Sequence, residues 1–231
     1  MRKVDCMLKN KKLAAAFILF AVWIYSMWSL LHILLYPIME AGINEQWLFV
    51  LTEDGLIKNL VWTLPAVLLI KHFSSELYIG IRELFSFHKG CVKYTLISFV
   101  LAAIVIGGSL IRRHGFQISG DFDVSMLITS LLVGISEETV FRGFMLNSML
   151  TGADTKAKQN TALGINAVMF LLIHFPRWIY KGMFVSAFTG FGFITVMLLS
   201  VLFGIIMMRC RSIWPSVIIH SVYDLAVFLF A

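Results

Sequence analysis

The sequence predicts an all-α fold, a polytopic transmembrane helical bundle of about seven spans, and three observations predict it. Hydrophobic side chains make up 59% of the 231 residues against 14% charged, with a mean hydropathy of +0.87. A water-soluble domain of this size could not cover so much apolar surface, whereas a bilayer takes it up without cost. Apolar runs long enough for a helix to cross a bilayer, roughly 17 to 25 residues, recur along the chain. Lysine and arginine are concentrated in alternate loops, the asymmetry that orients a membrane protein.

The runs fall at about 13–36, 56–72, 94–111, 124–147, 161–175, 188–208 and 213–230, the second and fifth of them short. The first follows Arg2, Lys3, Lys9, Lys11 and Lys12. It is too long for a cleaved signal peptide and lacks a small-residue cleavage site, so it reads as a retained anchor. The second leads into a loop with Lys71, Arg82, Lys89 and Lys93, where residues from Ser74 to Lys89 alternate polar and apolar at helical spacing. That pattern predicts an amphipathic helix on the inner surface. Lys156, Lys158, Arg209 and Arg211 mark the later loops on the same side. The opposite loops carry Glu40, Glu45, Glu53 and Asp54, then Arg112 and Arg113 against Asp121 and Asp123, then Arg177 and Lys181. The Gly- and Phe-rich stretch 182–193 reads as interfacial or re-entrant. The amino terminus is therefore expected in the cytoplasm and the protein in a plasma membrane as a multi-pass chain; short loops without soluble domains suit a bacterial one.

Neither an internal repeat nor a low-complexity linker is visible, so a single membrane domain over 1–231 is expected. Leu229-Phe230-Ala231 is no lipidation signal, so the chain is not expected to be a prenylated substrate itself. Cys6, Cys91 and Cys210 are scattered near cytoplasmic span ends without a Cys-x-x-Cys spacing and imply no disulfide framework. The net charge of +6 does not point to nucleic acid, because its basic residues sit at span ends rather than along one surface.

Chemistry is concentrated in three spans. The fourth reads Gly134-Ile135-Ser136-Glu137-Glu138-Thr139-Val140-Phe141-Arg142-Gly143. Each charge near the bilayer centre costs at least about 2.5 kcal/mol, so such residues normally face the bundle interior and serve a function. Glu138 and Arg142 are spaced i, i+4 with the acid first and can pair along one face. Glu137 points about 100° away and is left without a cation of its own, the electrostatic setting of a general base. A plain Glu-Arg packing clamp would explain Glu138 and Arg142 alone. The fifth span ends at His174, and the seventh holds His220 and Asp224, again i, i+4. A lone intramembrane histidine is more often a helix-to-helix hydrogen bonder. An acid, two imidazoles and a second acid from three spans repeat the desolvation cost so often that a common site is the better explanation. His32, His72, His88 and His114 read as interface or loop residues, and Asp121 and Asp123 as a solvated loop. Ser136 and Ser221 do not sit in a Gly-x-Ser-x-Gly elbow.

Glu-Glu-x-x-x-Arg, then Phe-x-x-x-His, then His-x-x-x-Asp, in that order and each within an apolar span, resembles the CAAX protease and bacteriocin-processing family, also called abortive-infection proteins. The resemblance covers about 124–231, which would be the catalytic core, while 1–123 holds amino-terminal spans and the amphipathic segment. It implies an intramembrane endopeptidase acting on a membrane-associated peptide or lipidated protein. By motif position Glu137 with His174 would activate the attacking water, and His220 and Asp224 would lie opposite, near the scissile carbonyl or a metal. Glu138 and Arg142 would hold the site in shape. The eukaryotic members usually have Asn where this chain has Asp224; an ionised Asp accepts hydrogen bonds but repels a developing oxyanion, so Asp224 is protonated, orients His220 or helps bind a cation. Glu137, His174, His220 and Asp224 are also plausible zinc ligands, although no His-Glu-x-x-His is present. A metal-assisted and a glutamate-based mechanism are both compatible with the residues. A reading from another class is a non-catalytic membrane protein, such as a bacteriocin immunity scaffold or a transporter using Glu137 and Asp224 as proton sites, but the repeated halves of a transporter are not visible.

Overall fold

The structure is a computed structural model that describes residues 10–115, 118–120 and 122–230, without the side chains of Arg112 and Arg113. The expectations for Arg2, Lys3, Cys6, Lys9 and Asp121 lie outside the described residues. Every regular element among the described residues is helical. They are α1 (Lys11–Gly42), α2 (46–72), α3 (Ile81–Leu84), α4 (Lys89–Ile111), α5 (Val124–Met149), α6 (Lys156–Leu172), α7 (Phe175–Tyr180), α8 (Phe184–Thr189), α9 (Gly192–Cys210) and α10 (Trp214–Phe230). Five stretches, α1, α4, α5, α6 continued through α7, and α9, are long and apolar enough to cross a membrane. The 17-residue α10 is a shorter apolar helix, and with α2 the described bundle accords with about seven spans.

The second crossing is longer than the sequence suggests: it begins at Gln46, not near 56. Glu53, Asp54 and Lys58 depress its hydropathy, but all three are buried against other helices. Leu56, Leu60, Leu64 and Leu68 form an exposed stripe at i, i+4 on the other side, the face an amphipathic helix turns to lipid. Both α1 and α2 contain wide π-helical turns, Leu31–Leu35 and Asn59–Thr63, each just ahead of a proline, Pro37 and Pro65. A proline ring collides with the carbonyl four residues back, and a widened turn makes room for it.

The segment from Ser74 to Lys89 is not a continuous amphipathic helix. It is a run of turns around the four-residue α3, and its Leu77, Ile79 and Leu84 are buried. Asn147 explains the departure: its amide donates to the Ile79 carbonyl at 2.8 Å and its oxygen accepts from the Ile79 N–H at 2.8 Å. Backbone groups held by a buried side chain do not need a helix ladder. Asp123, expected in a solvated loop, caps α5 by accepting from the Ser125 N–H at 2.6 Å. Stretch 182–193 holds the short, unburied α8 between α7 and α9.

Two glycines set the closeness of the helices that matter for the site. A Cβ at Gly134 on α5 would collide with the Ser221 hydroxyl and press on the Val217 carbonyl of α10. A Cβ at Gly204 on α9 would meet Leu163 of α6 and Leu146 of α5. Without side chains there, α10 seats against α5, and α9 against α6, around a core that includes Phe141, Phe144, Phe170 and Met207.

Candidate active site

Glu137 and Glu138 end the α-helical part of α5, and the next residues, Thr139–Leu146, wind as π-helical turns. Such turns are rare and often accompany functional positions, because they re-aim the side chains around them. The two adjacent acids then point to different partners.

Glu138 is fully buried. Its Oε1 lies 3.1 Å from Arg142 Nη1 and 3.0 Å from His220 Nδ1. Arg142 in turn donates to the Ser200 carbonyl at 3.2 Å, and its guanidinium carbon lies 4.4 Å from the Phe170 ring centre and 5.2 Å from that of Phe203. The expected Glu138–Arg142 pair thus does a second job: it ties α5 to His220 on α10. A carboxylate beside Nδ1 places the ring proton there and turns Nε2 outward as the reactive nitrogen. That Nε2 lies 3.9 Å from Glu137 Oε2 and 3.5 Å from Asp224 Oδ2. The imidazole is stacked on Phe203 at 5.1 Å.

His174 sits between α6 and α7, ahead of Pro176. Its Nδ1 lies 2.7 Å from the Phe170 carbonyl, so Nδ1 donates and Nε2 is again the free nitrogen. Glu137 differs from the sequence expectation, which leaves it without a cation. Its Oε1 accepts from the Lys58 ammonium of α2 at 2.8 Å.

Lys58 is 1% exposed; it lies 3.7 Å from Asp54, and the rings of Trp28 and Trp62 flank its ammonium at 5.4 and 4.9 Å. The signal for it was present as Asp54-x-x-x-Lys58, an acid and a lysine at helical spacing, but the apolar run began only near 56 and left Asp54 in a loop. His32, expected at an interface, is instead buried and stacked on Tyr36. His88 Nε2 donates to the Cys210 carbonyl at 2.7 Å.

Glu137, His174, His220 and Asp224 line one cavity of about 450 Å³ together with Lys58, Trp62 and Arg177. A second cavity of about 370 Å³, walled by Trp178, Met183, Gly190, Phe203 and Tyr223, is also lined by His174, His220 and Asp224. These three residues thus line both cavities. Arg177, which sequence reading assigned only to orientation, lines the first cavity with Nη1 3.9 Å from Glu53.

The arrangement does not fit a bound metal. Among the described residues no three His, Cys, Asp or Glu side chains are grouped as ligands. One oxygen of Glu137 already holds an ammonium. A divalent ion at Glu137 would face the positive charge of Lys58 at close range.

Residues 121–226, a little under half of the chain, match the family described as Rce1-like: Type II CAAX prenyl endopeptidase Rce1-like. This segment is similar to that family of CAAX prenyl endopeptidases. Glu137, Glu138, Arg142, His174, His220 and Asp224 all lie within the matched segment, whereas Trp28, Asp54, Lys58 and Trp62 come from outside it. Comparison with curated proteins and with solved structures finds no match.

Proposed function

We propose that the protein is an intramembrane endopeptidase of glutamate type, cutting a peptide bond in a membrane-associated peptide or lipidated protein. The observation that carries this reading is the convergence of Glu137, His174, His220 and Asp224, from three crossings, on one buried cavity. Isolated intramembrane charges are costly, and sharing one cavity that admits water is what makes them tolerable.

In the proposed reaction Glu137 takes a proton from water as its oxygen attacks the scissile carbonyl carbon. The tetrahedral intermediate carries its negative charge near the Nε2 atoms of His174 and His220, which donate to it when protonated. Collapse breaks the carbon–nitrogen bond, and the proton held by Glu137 passes to the leaving amine. Glu138 keeps His220 oriented throughout, and Asp224, 3.5 Å from His220 Nε2, favours the imidazolium that donates. Both cavities have largely apolar walls of Trp, Phe, Met and Val, which suit apolar side chains or a lipid chain beside the cut bond.

Terminal proteomics of membranes from cells expressing either the natural chain or Glu137→Ala tests the proposal. A set of new peptide termini present with the first and lost with the second is expected. Identical termini in both, at equal protein levels, would remove Glu137 from the reaction.

A further inference from the structure

We infer that Lys58, contributed from outside the segment that matches the family, is a positioning residue for this site: its ammonium holds one oxygen of Glu137 and turns the other toward the cavity. The inference rests on the endopeptidase reading above. Lys58 Nζ is 2.8 Å from Glu137 Oε1, while Glu137 Oε2 lies on the side of His220 Nε2 at 3.9 Å. The two oxygens of one carboxylate are thus divided between a fixed cation and the reacting space.

Several features show that the lysine is held for this purpose. A lysine in a membrane helix ordinarily stretches its ammonium toward the headgroups. Here the chain is enclosed by Trp28 and Trp62, and the ammonium lies where both rings attract it. Asp54, one turn earlier on α2, stands at 3.7 Å and is the weaker partner, beyond hydrogen-bond distance. A buried ion pair seldom stabilises a fold more than well-packed apolar groups of the same volume would. A purely structural contact between α2 and α5 therefore gives no reason for a lysine. Fixing the ionised rotamer of a general base does give one.

The consequence is that the family segment is not self-sufficient in this chain, because the α2 crossing completes its charge arrangement. The test uses the full chain and the termini that depend on Glu137. Lys58→Arg, which keeps the charge, should retain at least about a third of the yield of those termini. Lys58→Met combined with Asp54→Asn removes one positive and one negative charge together, so the net charge of the site is unchanged while Glu137 loses its partner. At equal protein level this variant should lose at least about tenfold. Asp54→Asn alone leaves the Lys58–Glu137 pair intact and should stay near the natural yield.

Full yield from the double variant overturns the role of Lys58 and leaves the endopeptidase standing. An equal loss from Asp54→Asn alone, or from Lys58→Arg, assigns Lys58 to the fold and also overturns it; the Asp54→Asn arm decides the matter even if the double variant does not accumulate. Absence of any termini that depend on Glu137 removes the endopeptidase reading itself, and the inference with it.

Discussion

Adjacent glutamates on one helix turn carry different tasks because successive side chains on a helix diverge by about 100°. Glu138 faces Arg142 and His220 and is fully buried; Glu137 faces Lys58 and the cavity. Removing one partner of a buried charge pair leaves the other unpaired. Glu138→Ala or Arg142→Ala should therefore lower stability by about 3–5 kcal/mol, read as reduced protein in the membrane and an earlier thermal transition in detergent. Unchanged levels in both would show that the pair is not under the strain of burial. His174→Ala removes a half-buried side chain whose bond is to its own helix; it should leave protein levels near normal while abolishing the termini that depend on Glu137. At this scale the sequence was most readable where pairs are local: Glu138 with Arg142 and His220 with Asp224 are each one turn apart. The Lys58–Glu137 pair joins residues 79 positions apart, and such a partner is created by tertiary packing alone.

The helices reach the site because small residues let them approach. Gly134→Val on α5 would drive methyl groups into Ser221 and the Val217 carbonyl of α10. Overpacking of this kind costs about 1–3 kcal/mol and would also push His220 away from Glu138. The expected result is a loss of cleavage larger than the loss of protein; equal activity per molecule would contradict the close contact. The other end of α10 is set by the α3 turn. Ile213 N–H donates to the Leu84 carbonyl at 3.0 Å, the Trp214 ring N–H to that of Phe85 at 2.8 Å, and Arg211 Nη2 to Glu83 at 2.8 Å. Arg211 holds the Glu83 carboxyl below the ordinary carboxylate range. A lowered carboxyl stabilises the fold above its ordinary titration range, and the benefit fades as pH falls through the lowered value. Both side chains are more than a third exposed, so the contribution is about 0.5 kcal/mol or less. Glu83→Gln should melt slightly earlier at pH 7 and show no difference below about pH 3; a difference growing toward acid would reverse the sign. The Ser74–Lys89 segment was misread at this level because a helical pattern of apolar residues also arises where turns are buried by a distant side chain, here Asn147.

For the whole molecule, hydropathy and loop charge were enough to predict a helical membrane bundle, since both follow from the bilayer and not from packing. They could not locate the start of α2, because two buried charges there, Glu53 and Asp54, mimic a loop until their partners are known. With seven crossings and basic residues in alternate loops, we expect the amino terminus inside and the carboxyl terminus outside. Alkaline phosphatase fused after residue 231 should be active and a fluorescent protein fused there dark; the reverse would invert the topology. The most direct test of the central claim, that these side chains direct water onto a peptide carbonyl, is to incubate membranes in ¹⁸O-labelled water and read new carboxyl termini by mass spectrometry. The natural chain should yield a set of termini bearing ¹⁸O that is missing with Glu137→Ala, whereas the same labelled set from both would contradict it.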